Sequence, residues 1–128
     1  MLTEQGIKRY IKSDIDIIFL EESPSTNLEA KSIAATAREG AVIFARRQFS
    51  GRGRMGRSFE SPEGGIYMTM LVRPTDPVCL TMAAAVAVRR AMVDKLNLDP
   101  AIKWVNDIYW EGKKVSVYLP RAPFAKMS

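Results

Sequence analysis

The stretch Ala41-Val42-Ile43-Phe44-Ala45-Arg46-Arg47-Gln48-Phe49-Ser50-Gly51-Arg52-Gly53-Arg54-Met55-Gly56-Arg57 decides which fold class this chain can adopt. Its first five residues are apolar and partly β-branched, which reads as a buried strand. That strand runs straight into a loop carrying a literal G-x-G-x-x-G at Gly51, Gly53 and Gly56. In a dinucleotide-binding fold such a string opens a helix. Here it meets Ser61-Pro62-Glu63-Gly64-Gly65, which sustains none. The P-loop string is missing as well, because no lysine follows the last glycine. Both of those phosphate-binding folds are excluded.

Outward from this stretch, strands and helices interleave. Ile15 to Leu20 is a short apolar run that reads as a strand, and Ser23-Pro24-Ser25 breaks the chain after it. Thr26 with Glu29 fits a capping box opening a helix with Leu28, Ile33, Ala34 and Ala37 on one face, and Gly40 is its expected stop. Ile66 to Val72 is a third strand, ended by Arg73-Pro74. Val78 to Leu96 has a helical pattern. Its half from Met82 to Val88 is apolar nearly all round, which predicts deep burial. Ala101 to Val105 and Ile108 to Trp110 read as strands flanking Asn106-Asp107, and Glu111-Gly112 makes a tight reversal into Lys113-Lys114-Val115. The expected class is α/β or α+β, a mixed β-sheet flanked by helices.

The 128 residues fit one domain and carry 19 Lys+Arg against 14 Asp+Glu. Five of the arginines (Arg46, Arg47, Arg52, Arg54, Arg57) lie within the opening stretch, which holds no acid. Without them the two signs balance, so the basic excess is a local anion site rather than a diffuse nucleic-acid surface. A lone Cys79 excludes an internal disulfide, and the absence of histidine excludes Ser-His and Cys-His nucleophile pairs and zinc held by His and Cys. No metal site is expected from these residues. No stretch approaches the ~20 apolar residues of a membrane span, and the N-terminus lacks a signal-peptide apolar region, so a cytoplasmic location without membrane contact is expected.

Glycines let backbone N–H groups approach a ligand, and arginines supply fixed, bidentate donors for phosphate or carboxylate. Five unneutralised arginines in one loop repel one another until an anion joins them. A solvated basic loop or an RNA contact remains the alternative. Ser25-Thr26-Asn27 at a helix start places hydroxyl and amide groups beside free backbone donors, as a ligand cradle or as a plain cap. Lys103-Trp104-Val105-Asn106-Asp107 sets a cation, an amide and a carboxylate at a strand end, or simply forms a turn beside a core Trp. Lys113 and Lys114 could equally be a solvated pair.

Taken together, these elements resemble the biotin protein ligase family (biotin–[acetyl-CoA-carboxylase] ligase), which is related to the lipoate ligases. The matching pieces are Ser25-Thr26-Asn27, Gln48-x-x-Gly51-Arg52-Gly53-Arg54-x-Gly56-Arg57, Ser61-Pro62-x-Gly64-Gly65-x-Tyr67, and Lys103-Trp104-x-Asn106-Asp107 with Lys114. The family usually has Trp where Phe59 stands and often Pro at Val105. The resemblance implies a class II synthetase-like catalytic domain and a two-step reaction. Biotin's carboxylate attacks the α-phosphate of MgATP to give biotinyl-5′-AMP, and a lysine of a biotin carboxyl carrier protein then takes the biotinyl group. It further implies that Ser25, Thr26, Asn27 and Gln48 hold the biotin head group. Gly51, Arg52, Gly53 and Arg54 would form a closing loop. Arg54 and Lys114 would act on the reacting carboxylate and phosphate, and Asp107 would orient the attacking lysine or the metal. ATP and Mg2+ are the implied cofactors.

After Lys114-Val115 the family continues with a small residue, then Gly-Ile-Leu and an acidic residue, in a strand lining the biotin pocket, whereas this chain has Val117 in place of the glycine and a proline-bearing tail. The expectation is a partial catalytic domain over residues 1–115 and a divergent tail over 116–128, from truncation or a frameshift. An incomplete sheet would leave an open edge prone to self-association. The start of the chain lies close to the catalytic domain, so no DNA-binding domain, and no DNA partner, is expected. Lipoate or octanoate transfer, a non-catalytic biotin- or carrier-binding remnant, and an RNA-binding module on the arginine loop are the competing readings.

Overall fold

The computed structural model describes residues 2–51, 56–73, 77–103 and 107–117. They fall into two compact units, one ending at Arg73 and the other containing the described residues from 77 to 117.

In the first unit, helix α1 (Glu4–Tyr10) is capped by the Thr3 hydroxyl, which accepts from Gly6 N–H. Strand β1 (Ile17–Leu20) leads through α2 (Thr26–Ile33) to β2 (Val42–Ala45), which pairs with it in parallel, Ile17 opposite Val42 and Leu20 opposite Ala45. Strand β3 (Tyr67–Met70) joins the other side of β2 antiparallel, with Thr69 opposite Ile43. The order β1-β2-β3 makes the sheet mixed, as expected, and puts β2 at its centre, where all four residues are buried. Helix α2 lies over β2 and β3, and Ala30 and Ala34 pack with Ala41, Ile43 and Leu71. Alanines on the inward stripe let the helix approach closely.

Two features of α2 differ from the sequence reading. The N-cap is Ser25, not Thr26: its hydroxyl accepts from Asn27 N–H at 3.2 Å, and Glu29 accepts from the Ser23 hydroxyl at 3.2 Å instead of closing a box. The reason is tertiary. Gln48 takes the Thr26 N–H, which draws Thr26 into the first helical turn. The helix also stops at Ile33, because Thr36 and Ala37 N–H both close on the Ile33 carbonyl. Gly40, at φ 91°, opens β2 and donates to the Leu71 carbonyl at 2.7 Å. Leu28 is 54% exposed, since it sits two residues, or about 200° of helical turn, from the buried Ala30.

In the second unit, α3 (Pro77–Leu96) begins on a proline, a residue suited to the first helical position because it lacks the N–H that would go unpaired there. It ends before Asn97, which takes the left-handed conformation at φ 54°. Strands β4 (Ala101–Lys103), β5 (Asp107–Trp110) and β6 (Lys113–Val117) form an antiparallel meander. Helix α3 packs on β4 and β5, and Arg89 ties it to the connection through Asp99 (2.7 Å) and the Pro100 carbonyl (2.9 Å). The expected deep burial of Met82 to Val88 does not hold. Ala85 is buried, but Met82 is 44% and Val86 46% exposed, because β4 and β5 cover only one stripe of a helical stretch that is apolar nearly all round. Strand β6 carries through Ser116 and Val117, so the expected boundary after residue 115 falls within a paired strand.

The β5–β6 reversal matches the sequence reading. Trp110 pairs with Lys113 around a two-residue loop in which Glu111 has φ 51° and Gly112 φ 77°. Both positive angles are those of a type I′ turn. Glycine occupies its position without cost, whereas glutamate does not. Glu111→Asn should therefore stabilise the chain by a few tenths to about 1 kcal/mol, read as a higher melting temperature. In the first unit, Ile43→Ala removes the centre of the core and should cost about 2–5 kcal/mol in urea unfolding.

Candidate functional site

The C-terminal ends of β1 and β2 continue beyond the sheet as isolated bridges, and these build the site. Ser23 bridges Gln48 in parallel, and Gln48 bridges Ser61 antiparallel. Gln48 N–H donates to the Ser61 carbonyl at 3.0 Å, Phe49 N–H to the Ser23 carbonyl at 3.1 Å, and Ser50 N–H to the Pro24 carbonyl at 2.8 Å. Three chain segments are thus fixed around one glutamine.

Its side chain completes the junction. Gln48 Oε1 accepts from Thr26 N–H at 2.8 Å, satisfying an amide that the start of a helix leaves without an intrahelical partner. Gln48 Nε2 donates to the Ser61 hydroxyl at 3.0 Å, and Ser61 passes its own proton to the Phe59 carbonyl at 3.0 Å. Ser23, Ser25, Thr26 and Ser61 are all buried. Burying so many polar groups is tolerable only because each is paired.

Gly51 lies against this junction. A methyl group there would stand 2.6 Å from the Phe59 carbonyl oxygen and 2.7 Å from the Ser61 hydroxyl. The requirement is for space beside fixed backbone. Phe59 N–H donates to the Gly51 carbonyl at 2.8 Å, so the arginine loop is pinned at its base by Gly51–Phe59 and Gln48–Ser61. Gly56 has φ 76° on the return. Tyr67 braces the Ser61-to-Gly65 segment: its hydroxyl donates to the Pro62 carbonyl at 2.7 Å, and its ring fills the space that a side chain at Gly65 would need. Burial pushes the Tyr67 phenol above its usual pKa.

Of the residues expected to bind ligand, Ser25, Thr26, Asn27, Gln48 and Gly51 converge in the first unit. Arg52, Gly53 and Arg54 lie outside the described residues. Lys114 and Asp107 belong to the second unit: Lys114 is exposed on β6 opposite Tyr109, and Asp107 is half-buried at the start of β5 opposite Lys103. The charge reading needs correction. Arg46 is paired with Glu21 at 2.7 Å and Arg47 with Glu22 at 2.8 Å. The parallel register that sets Leu20 beside Ala45 places the next two acids beside the next two arginines. Any free cationic character of the window therefore begins beyond Gln48. Ser23, Ser61, Glu29 and Thr69 entered no sequence-based assignment of site residues. Thr69 had one visible signal, a hydroxyl on the same strand face as Tyr67 within an apolar run.

Comparison with known proteins completes the picture. The model of the biotin/lipoate A/B protein ligase family matches residues 17–121. The chain belongs to this family. It is similar to the bifunctional ligase/repressor BirA of Bacillus subtilis, 36% identical over 88% of this chain and 38% of that protein. It is also similar to the biotin–[acetyl-CoA-carboxylase] ligase of Paracoccus denitrificans, 36% identical over 76% of this chain and 43% of the relative. Among solved structures, a biotin-bound R40G mutant of the Aquifex aeolicus biotin protein ligase superposes with a TM-score of 0.75 at 32% identity, covering 84% of this chain and 47% of that one. The Leishmania major biotin protein ligase in complex with biotinyl-5-AMP gives 0.69 at 34% identity, over 77% and 49%. The chain thus spans less than half the length of these relatives. No helix among the described residues is long and apolar enough to cross a membrane.

The contact geometry at Gly51 makes a sharp prediction. Gly51→Ala must displace the Phe59 carbonyl or Ser61, at a cost of about 1–3 kcal/mol for overpacking a fixed site. Hydrogen exchange at Phe59 N–H should quicken with it. A change below about 0.5 kcal/mol, in the range of ordinary surface substitutions, would contradict the crowding.

Proposed function

We propose that the chain carries the biotin-activating site of a biotin–protein ligase. The observation that supports this best is the Gln48-centred junction, which gathers Ser25, Thr26, Asn27 and Gln48 at the mouth of a pinned glycine-arginine loop in a chain of this family. Solved relatives include complexes with biotin and ATP and with biotinyl-5-AMP.

In this reading the biotin carboxylate oxygen attacks the α-phosphorus of ATP, and pyrophosphate departs with its bonding pair. A carrier lysine amine then attacks the acyl carbon of the mixed anhydride, loses a proton, and expels AMP. The neutral donors of the junction hold the head group. Joining two anions requires fixed positive charge where negative charge builds up, which is the role assigned to Arg52, Arg54 and Lys114. Arg46 and Arg47, already paired with Glu21 and Glu22, take no part in this role. Gly51 and Gly53 let the loop close and keep water from the adenylate. Asp107 orients the incoming lysine. No group of three or more His, Cys, Asp or Glu residues among the described residues could hold a metal ion; in this reading Mg2+ arrives with ATP as part of the substrate. Magnesium bound this way needs only one or two protein carboxylates, and Asp107 can provide one. The acceptor in this reading is a biotin carboxyl carrier protein of a cytoplasmic biotin-dependent carboxylase.

Calorimetric titration with biotin, with and without MgATP, followed by transfer to a carrier domain, tests this reading. Biotin binding, adenylate formation and transfer are expected. Binding without transfer would reduce the chain to a biotin-binding remnant. Arg54→Ala should lower adenylate formation by about 100-fold, the scale of losing one transition-state donor, while leaving the unfolding midpoint nearly unchanged. Parallel losses of folding stability and ligand binding would sink the Arg54 assignment.

A further inference from the structure

Thr69 belongs to neither motif that frames the junction, yet the hydrogen bonds around it have a fixed order. A threonine hydroxyl carries a single proton. Thr69 Oγ1 gives that proton to Asn27 Oδ1 at 2.7 Å. Its 2.8 Å bond with Thr26 Oγ1 is therefore one it accepts, with Thr26 as the donor. The relay runs from Thr26 to Thr69 to Asn27, crossing from α2 to β3 and back. Strand register holds it in place, because Thr69 sits opposite the fully buried Ile43.

The relay determines what the junction can offer a ligand. Asn27 Oδ1 is occupied, and no hydrogen bond among the described residues engages Asn27 Nδ2. Gln48 Oε1 is likewise occupied by Thr26 N–H, while Nε2 spends one of its two protons on Ser61. Among the described residues, both amides thus have their oxygens engaged and N–H groups unclaimed. The two ends of an asparagine amide are nearly equal in shape, so a donor on Oδ1 is what decides which end faces outward.

We propose that Thr69 is a positioning residue: its bond to Oδ1 sets the Asn27 amide with Nδ2 outward, making the junction selective for an uncharged hydrogen-bond acceptor. The identity of that ligand rests on the biotin reading above; the positioning role does not. Valine at position 69 keeps the shape of threonine and removes the relay. Serine keeps the relay.

The experiment uses the full chain, isotopically labelled, as wild type, Thr69→Val, Thr69→Ser, Asn27→Ala and the Thr69→Val/Asn27→Ala double variant. Side-chain couplings and amide signals of Asn27 are measured by NMR without ligand, and biotin Kd by calorimetry. Thermal melts confirm that each variant folds. In Thr69→Val the Asn27 side chain should lose its single orientation and biotin should bind about tenfold more weakly, as for loss of one buried hydrogen-bond contribution. Thr69→Ser should restore both to within about twofold. In the Asn27→Ala background, Thr69→Val should add no more than about twofold, since distinct effects add and shared ones do not. An Asn27 side chain that stays ordered in Thr69→Val overturns the proposal, as does an equal loss of affinity in both backgrounds. If wild type fails to bind biotin while Asn27 still loses order in Thr69→Val, the positioning role stands and the biotin reading falls.

Discussion

Gln48 sits where three segments meet, and its side-chain amide bonds to both of the others. The oxygen caps the amide at the start of α2, the nitrogen holds Ser61, and the backbone bridges both Ser23 and Ser61. Removing it would leave the Thr26 N–H at the helix start without its partner, a desolvation penalty of about 1–3 kcal/mol, and would take from the buried Ser61 hydroxyl the bond it accepts. The side chain sets the helix start, while the Gln48 backbone bridges and the Gly51–Phe59 bond set the base of the arginine loop. Gly51 is then required for space, because the junction leaves no room for a methyl group beside the Phe59 carbonyl.

The same geometry divides the arginines into two sets. Arg46 and Arg47 precede Gln48, lie beside Glu21 and Glu22, and are spent on the fold; Arg46 also stacks 5.5 Å over the Phe19 ring and donates to the Leu2 carbonyl. Arginines after Gln48 belong to a loop whose ends are pinned. A net charge of +5 therefore overstates what the window offers a ligand. The Gln48 junction is built from neutral side chains, so in the proposed reading head-group recognition and charge neutralisation fall to different residues.

What the sequence made legible was local. Strands β1 and β2, helix α3 and the Glu111-Gly112 turn follow from apolar patterning and turn chemistry, and each lies within two residues of its expected bounds. Thr26, Asn27 and Gln48 could be named because they occur in an ordered motif. What stayed hidden depends on partners distant in the chain. Ser25 rather than Thr26 caps α2 because a glutamine 22 residues away claims the Thr26 amide. Thr69 joins Asn27 across 42 residues, and the pairing of Glu21 and Glu22 with Arg46 and Arg47 follows from strand register. The exposure of α3 depends on how many strands cover it, which the apolar pattern of the helix does not encode.

The central claim is that ligand is recognised at the Gln48 junction. Backbone amide shifts of the labelled chain, followed as biotin is titrated in, test it most directly. The account predicts that the largest shifts fall on Thr26, Asn27, Gln48 and Ser61, residues separated in sequence and joined only by this junction. Saturating biotin that leaves those four signals in place, or moves mainly the exposed Arg38–Asp16 surface before the opposite ends of β1 and β2, would contradict it.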